Sequence, residues 1–262
     1  MKILALSLGL SLMALCANAQ TPAASPKPPA PKPAGTTAPA HPATTHSMNT
    51  TSNDPQLLHP ANLKAKAPET FEATFVTTKG DIVIQVTRAW SPLGADRFYN
   101  LVEHGFYNGN PFFRNLPGFI VQFGLTGNPA VNRAWDNANI QDEPVQEHNL
   151  PGYVTYAKSS IPNSRTTQLF INLGDNSTSL DRQGFAPFGK VISGMDVVQK
   201  LYSGYGEQPD QDAIRTQGSA YFSKKYPNLD LIKTATITSP ASTGSGAAHP
   251  AASASGAKKP VQ

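Results

Sequence analysis

The sequence predicts a mainly β domain, a closed antiparallel barrel with an α-helix over each end. Three observations carry this reading. Residues 71–76 and 81–86 are strand-like runs joined at Lys79-Gly80, the signature of a hairpin. Two stretches, opening at Ser91-Pro92 and near Ser193-Gly194, repeat apolar residues at helical spacing. Between them lie only short strands with turn signals, and many strands with two helices suit a closed antiparallel barrel.

Taken in order, the hairpin comes first. Ser91 then takes the cap position of a helix and Pro92 its first turn. Phe98, Leu101 and Val102 fall at i, i+3 and i+4 and give that helix one apolar face, and Gly105 ends it. Pro117-Gly118 turns the chain into a strand over residues 119–123. Alternation along it would put Ile120 and Gln122 on one face and Phe119 and Val121 on the other. A further segment, Gln168-Leu169-Phe170-Ile171-Asn172, sets an amide and an aromatic two residues apart. The second helix should bury Val198, Leu201 and Tyr202 and stop before Gly204. Residues 137–149 and 204–226 read as loops or insertions. The aromatic run with Tyr221, Phe222 and Tyr226 folds back on the barrel, and Asp142, Glu143 and Glu147 form a solvated acidic face.

The ends differ from this middle. Met1-Lys2, an apolar run from Ile3 to Leu15, and Ala17-Asn18-Ala19 read as a secretory signal peptide, residues 1–19. The run is too short to span a membrane comfortably. A lipoprotein with its lipid on Cys16 is the less favoured alternative, since Leu15 is bulky where that processing wants a small residue, so the expected product is exported, periplasmic or secreted, without stable membrane insertion. Residues 20–67 are rich in Pro, Ala and Thr and read as a disordered linker. Residues 68–238 form the folded domain, and 239–262 a second disordered tail. Cys16, the one cysteine of the 262 residues, lies in the signal, which removes disulfides and thiol chemistry from the mature chain. The net charge is +4, but seven lysines outside residues 68–239 set against Asp54 contribute +6 and leave −2 for the core. A near-neutral core argues against nucleic-acid binding.

The chemistry concentrates around Phe112-Phe113-Arg114 and Pro117-Gly118-Phe119-Ile120-Val121-Gln122. A long cation and an amide beside apolar surface suit a site that grips a peptide and polarises one bond. Taken alone, these residues also fit a barrel core with a snorkelling arginine. His104 and His148 are the core histidines, and no carboxylate spacing around them makes a metal site. Gly204-Tyr205-Gly206 lacks the strand–turn–helix context of a nucleotide loop.

These anchors, followed in order by residues 152–157, 168–172 and Phe188-Gly189-Lys190-Val191, resemble the cyclophilin family of peptidyl-prolyl cis/trans isomerases over residues 71–237. The resemblance implies an eight-stranded closed barrel with two capping helices. It implies a monomeric, cofactor-free and metal-free enzyme acting on proline-containing polypeptides, here during the folding of exported proteins. By position it makes Arg114, Gln122 and Phe119 catalytic. It makes Phe113, Ile120, Ala157, Lys158, Gln168, Phe170, Leu180 and Phe185 substrate-binding. The chain departs from the pattern in two places. Ser179 stands where many members carry a tryptophan associated with tight cyclosporin binding, and Lys158 stands where an asparagine is common. Two other functions fit the same residues: a binding module that holds proline peptides without turnover, and a structural barrel whose tails do the work.

Overall fold

The computed structural model describes residues 54–239. The stretch expected to be a signal peptide (residues 1–19), residues 20–53 of the expected linker, and the expected tail from 240 onward lie outside the described residues. Among the described residues, eight antiparallel strands form one sheet in the order β3-β4-β6-β5-β7-β2-β1-β8. They are β1 Thr70–Thr77, β2 Asp81–Thr87, β3 Arg114–Leu116, β4 Ile120–Phe123, β5 Tyr153–Tyr156, β6 Leu169–Asn172, β7 Pro187–Ser193 and β8 Ile232–Ser239. The hairpin forms as expected, with Phe75 opposite Ile82 and Phe71 opposite Val86. Gly80 makes its turn at φ 134°, a conformation that glycine adopts without strain.

The expected closed barrel is instead a curled, open sheet whose edges are β3 and β8. The segments just ahead of these edges touch through a Pro111–Leu231 bridge. Phe112 N donates to Asp230 O at 3.0 Å and Ile232 N to Asn110 O at 2.9 Å. A count of strands does not determine whether the last ladder zips. Here β3 is only three residues long and meets a turn, not β8.

Alternation along β1 and β2 sends Phe71, Ala73, Phe75, Ile82, Ile84 and Val86 inward. They pack with Phe98, Leu101 and Val102 of α1 (Pro92–Glu103) in one apolar core. Phe98 sits at its centre, with ring centroids 5.1 Å from Phe188, 5.8 Å from Tyr107 and 6.0 Å from Phe75. Such aromatic pairs add about 0.5–1.5 kcal/mol each to the burial of their area. Gly105, at φ 67°, ends α1, and Phe106 N reaches back to Leu101 O at 2.8 Å.

The α1 start is made differently from the sequence expectation. Ser91 holds the cap position, but its hydroxyl donates to Glu143. Glu143 itself accepts from the amides of Leu93 at 2.7 Å and Gly94 at 3.1 Å. Glu143 is 9 % exposed and pairs at 3.0 Å with Arg165, which is 2 % exposed. The predicted solvated acidic face is, at this residue, a buried cap.

Two helices were expected, and the described residues contain six α-helical segments. The second predicted helix is a short α4 (Met195–Gln199) that buries Val198. Residues 204–226 are not a loop. They carry α5 (Gln211–Gln217) and α6 (Ser219–Lys225), which bury Ile214, Tyr221 and Phe222 in a second apolar cluster with Phe113, Leu125 and Leu229. The others are α2 (Pro129–Trp135) and α3 (Ser177–Leu180).

Residues 54–67, which the sequence places in the linker, lie against this domain. Leu57 is fully buried and its carbonyl accepts from Trp135 Nε1 at 2.8 Å. Asp54 pairs with His104 at 2.7 Å, and that hydrogen bond holds its carboxyl below the usual range. Asn100 and Asp96 receive the backbone of Ala65 and Ala67. A stretch so poor in apolar residues looks unable to fold, because its partners come from α1 and α2. Leu57→Ala is therefore expected to destabilise the full chain by about 2–4 kcal/mol in equilibrium urea unfolding, the cost of emptying a buried leucine site. Unchanged stability would mean the strap rests on the domain without supporting it.

Candidate active site

The site is built on the face of the sheet that points away from the main core. On β4, Val121 and Phe123 enter the core, and Ile120 and Gln122 point the other way; on β6, Leu169 and Ile171 point in and Phe170 out. Gln122 lies between Arg114 of β3 and Phe170 of β6 in the register. Ile120, Phe170 and Leu180 make a small apolar cluster separate from the core, with Phe119, Ala157 and Phe185 around it. This separation favours a pocket over the plain barrel-core alternative for these residues.

Phe119 does not join Val121. The strand starts one residue later, so Phe119 belongs to the turn and escapes the alternation. Its carbonyl is held by Asn176 Nδ2 at 2.9 Å and by Leu173 N at 2.8 Å. Its ring lies under the Arg114 guanidinium, 5.8 Å from the centroid. Arg114 Nη1 donates to Gln122 Oε1 at 3.3 Å, and Gln122 Nε2 donates to Gln168 Oε1 at 2.8 Å. The other edge of the guanidinium meets Glu207, with Nε 2.7 Å from Oε1. A cation, two amides and an aromatic ring thus line one side of the apolar cluster.

The far side is set by Leu180 and Phe185. Phe185 meets Phe170 edge-on at 5.8 Å. Asn149, fully buried, donates to Phe185 O at 2.8 Å and to Asp181 Oδ1 at 2.7 Å. Burial works against the Asp181 carboxylate, but hydrogen bonds from Asn149 and His148 outweigh it and keep its pKa below the usual range. Lys158, 13 % exposed, sits 3.5 Å from Asp142 and 5.5 Å from the Phe185 ring centroid. Ser179 is exposed, its hydroxyl turned back to Asn176 O at 3.2 Å, so no side wall rises there. A polar cleft of about 370 Å³ adjoins the amides, lined by Gln122, Ala157, Lys158, Gln168, Asp136 and Arg215 among others.

Of the predicted site residues, the structure brings together Arg114, Phe119, Ile120, Gln122, Ala157, Lys158, Gln168, Phe170, Leu180 and Phe185. Phe113 is the exception. It is 1 % exposed and lies just ahead of β3, where it packs with Ile214 of α5 and with Tyr221 and Phe222 of α6. Sequence reasoning missed Asn149, Asn176 and Glu207. The two asparagines act as buried braces of loops, and Glu207 is 93 residues from its partner.

Residues 73–218 match the family model for cyclophilin type peptidyl-prolyl cis-trans isomerase. The chain belongs to the cyclophilin family. Its activity is that of a peptidyl-prolyl cis-trans isomerase, acting on bonds that precede proline. A peptidyl-prolyl cis-trans isomerase of Acinetobacter baylyi is 38 % identical over 129 residues, covering 48 % of this cyclophilin and 68 % of the relative. Peptidyl-prolyl cis-trans isomerase B of Escherichia coli is 34 % identical over 135 residues, covering 49 % and 82 %. The solved structure of a cyclophilin type isomerase from Cryptosporidium parvum aligns at TM-score 0.48 and 20 % identity, over 65 % of this cyclophilin and 98 % of that chain.

Among the described residues no helix is long and apolar enough to cross a membrane, and no cluster of three or more His, Cys, Asp or Glu could hold a metal ion.

Proposed function

We propose that this cyclophilin speeds cis–trans exchange about X-Pro bonds during the folding of exported proteins, as a monomer, with Arg114 as its donor. The peptide bond resists rotation because the nitrogen lone pair is shared with the carbonyl, a barrier of about 18–20 kcal/mol. Catalysis needs the proline ring held, the preceding carbonyl free to swing, and a donor that favours the twisted state. Ile120, Phe170, Leu180 and Phe119 supply the apolar seat for the ring. Arg114 donates to the proline carbonyl and to the nitrogen lone pair as it localises. Gln122 holds Arg114, and Gln168 with the backbone at Ala157 and Lys158 clamps the peptide.

The observation that carries this reading is the Arg114 guanidinium over Phe119, tied to Gln122, at the lip of an apolar cluster the main core does not use. No proton is transferred and no bond is broken in this scheme, so donor strength and orientation supply the whole effect. The exported setting rests on the sequence of residues 1–19.

The test is exchange NMR on a short X-Pro peptide at catalytic amounts of the full chain. Cis–trans exchange should rise from the uncatalysed scale of tens of seconds or longer to well under a second. Saturable peptide binding with no change in exchange would replace the catalytic reading with that of a binding module.

A further inference from the structure

We propose that Glu207 is the positioning residue for Arg114, and that the segment after α4 is there to deliver it. This rests on the reading of Arg114 as the donor. Glu207 Oε1 receives both Nε and Nη2 of the guanidinium, while Gln122 takes Nη1 on the other edge. The two contacts fix the plane from opposite sides. Of the five N–H groups of an arginine, one on each terminal nitrogen remains for a substrate oxygen.

The turn that carries Glu207 is itself braced. Gly206 O accepts from Asn115 N at 3.2 Å, so the turn covers the edge of β3 one residue from Arg114. Asn115 Nδ2 donates to Leu201 O at 2.9 Å. Tyr226 donates to Gln208 O at 2.8 Å, and the Tyr205 ring is held edge-on between Tyr202 and Tyr226 at 4.9 and 5.0 Å. Glu207 thus stands between anchored neighbours, with its own side chain 61 % exposed.

Exposure decides between two roles for the carboxylate. Beside water its charge acts on the guanidinium only through a screened, high-dielectric interaction. Its geometric effect is not screened. An arginine free at several torsions must be ordered each time it grips the twisted peptide, and one already clamped is not.

The test compares wild type, Glu207→Ala, Glu207→Gln and Arg114→Ala in the full chain, with kcat and peptide Kd from exchange NMR and the Arg114 Nε–H resonance as a probe of the clamp. Glu207→Ala is expected to lower kcat about tenfold with Kd changed less than about twofold, since the loss is of orientation and not of the pocket. Its Arg114 Nε–H should broaden by solvent exchange. Glu207→Gln keeps an acceptor oxygen and should recover kcat to within about threefold of wild type. An unchanged or higher kcat in Glu207→Ala overturns the proposal. So does a lower kcat with the Arg114 resonance unmoved, which would place the effect in the turn's fold. Full activity in Arg114→Ala would instead bring down the donor assignment on which the proposal rests.

Discussion

Arg114→Ala is expected to lower kcat on an X-Pro peptide by about two to three orders of magnitude, the usual cost of deleting one preorganised donor. Peptide affinity should change far less. The apolar seat of Ile120, Phe170 and Leu180 lies on β4, β6 and α3 and does not depend on β3's side chain. The fold should also survive. The Arg114 side chain is 23 % exposed and its ionic partner Glu207 is 61 % exposed, so the orphaned carboxylate returns to water. Gln122 loses a donor but keeps Gln168. Exchange NMR gives kcat and Kd together, and melting curves check the fold. A well-folded Arg114→Ala protein with wild-type kcat would end the assignment.

Glu143→Ala should cost about 3–5 kcal/mol, because it removes the closer of the two carboxylates that pair with a buried arginine. Arg165 is 2 % exposed, and it keeps Ser91 Oγ at 3.3 Å, Gln141 O, Asp142 at 3.8 Å and the Tyr156 ring, 5.9 Å from the centroid. Arg165 Nε has no hydrogen-bond partner even in the intact protein, so little is in reserve. The same substitution strips the amides of Leu93 and Gly94 of their acceptor at the start of α1, the helix that holds Phe98 in the core. A fall in Tm of roughly 10 °C follows for a domain of this size. Glu143→Gln should be milder, since an amide oxygen can still accept at the helix start. Unfolding of Glu143→Ala within about 1 kcal/mol of wild type would show that water reaches Arg165 and relieves it.

Local signals were the legible ones. The β1–β2 hairpin follows from two apolar runs about Lys79-Gly80, and α1 from Ser91-Pro92 at one end and Gly105 at the other. Arg114, Gln122 and Phe170 could be placed together because a strand and its neighbours set their faces at short range. What escaped depends on contacts that no local pattern encodes. The apolar character of Phe113 suits either of two clusters, and only the packing of α5 and α6 decides which. Phe119 escaped the alternation because the strand begins one residue later than its composition suggests. Leu57 looked stranded in a proline-rich linker until α2, with Trp135, supplied its surroundings. Glu143 read as a surface charge because the arginine and helix amides that bury it are distant in sequence. The open sheet was equally unreadable, since the seam between β3 and β8 is decided by one bridge and a covering turn.

The amide pair also has a direction. An arginine can only donate, so Gln122 must turn its oxygen to Arg114 and its nitrogen to Gln168, whose oxygen is then committed in turn. Two side chains that could each face either way are locked into one sense by a charge at the end of the row. The groove therefore has a polarity along its length. Gln168 also lines the neighbouring cleft, so the committed oxygen leaves its NH₂ as the group with hydrogen bonds still to give. A peptide has its carbonyls and amides in fixed sequence, so a row of fixed donors reads N-to-C differently from C-to-N. On the proposed reading of this groove as the peptide seat, Arg114 thereby favours one orientation of a substrate strand before any bond begins to turn.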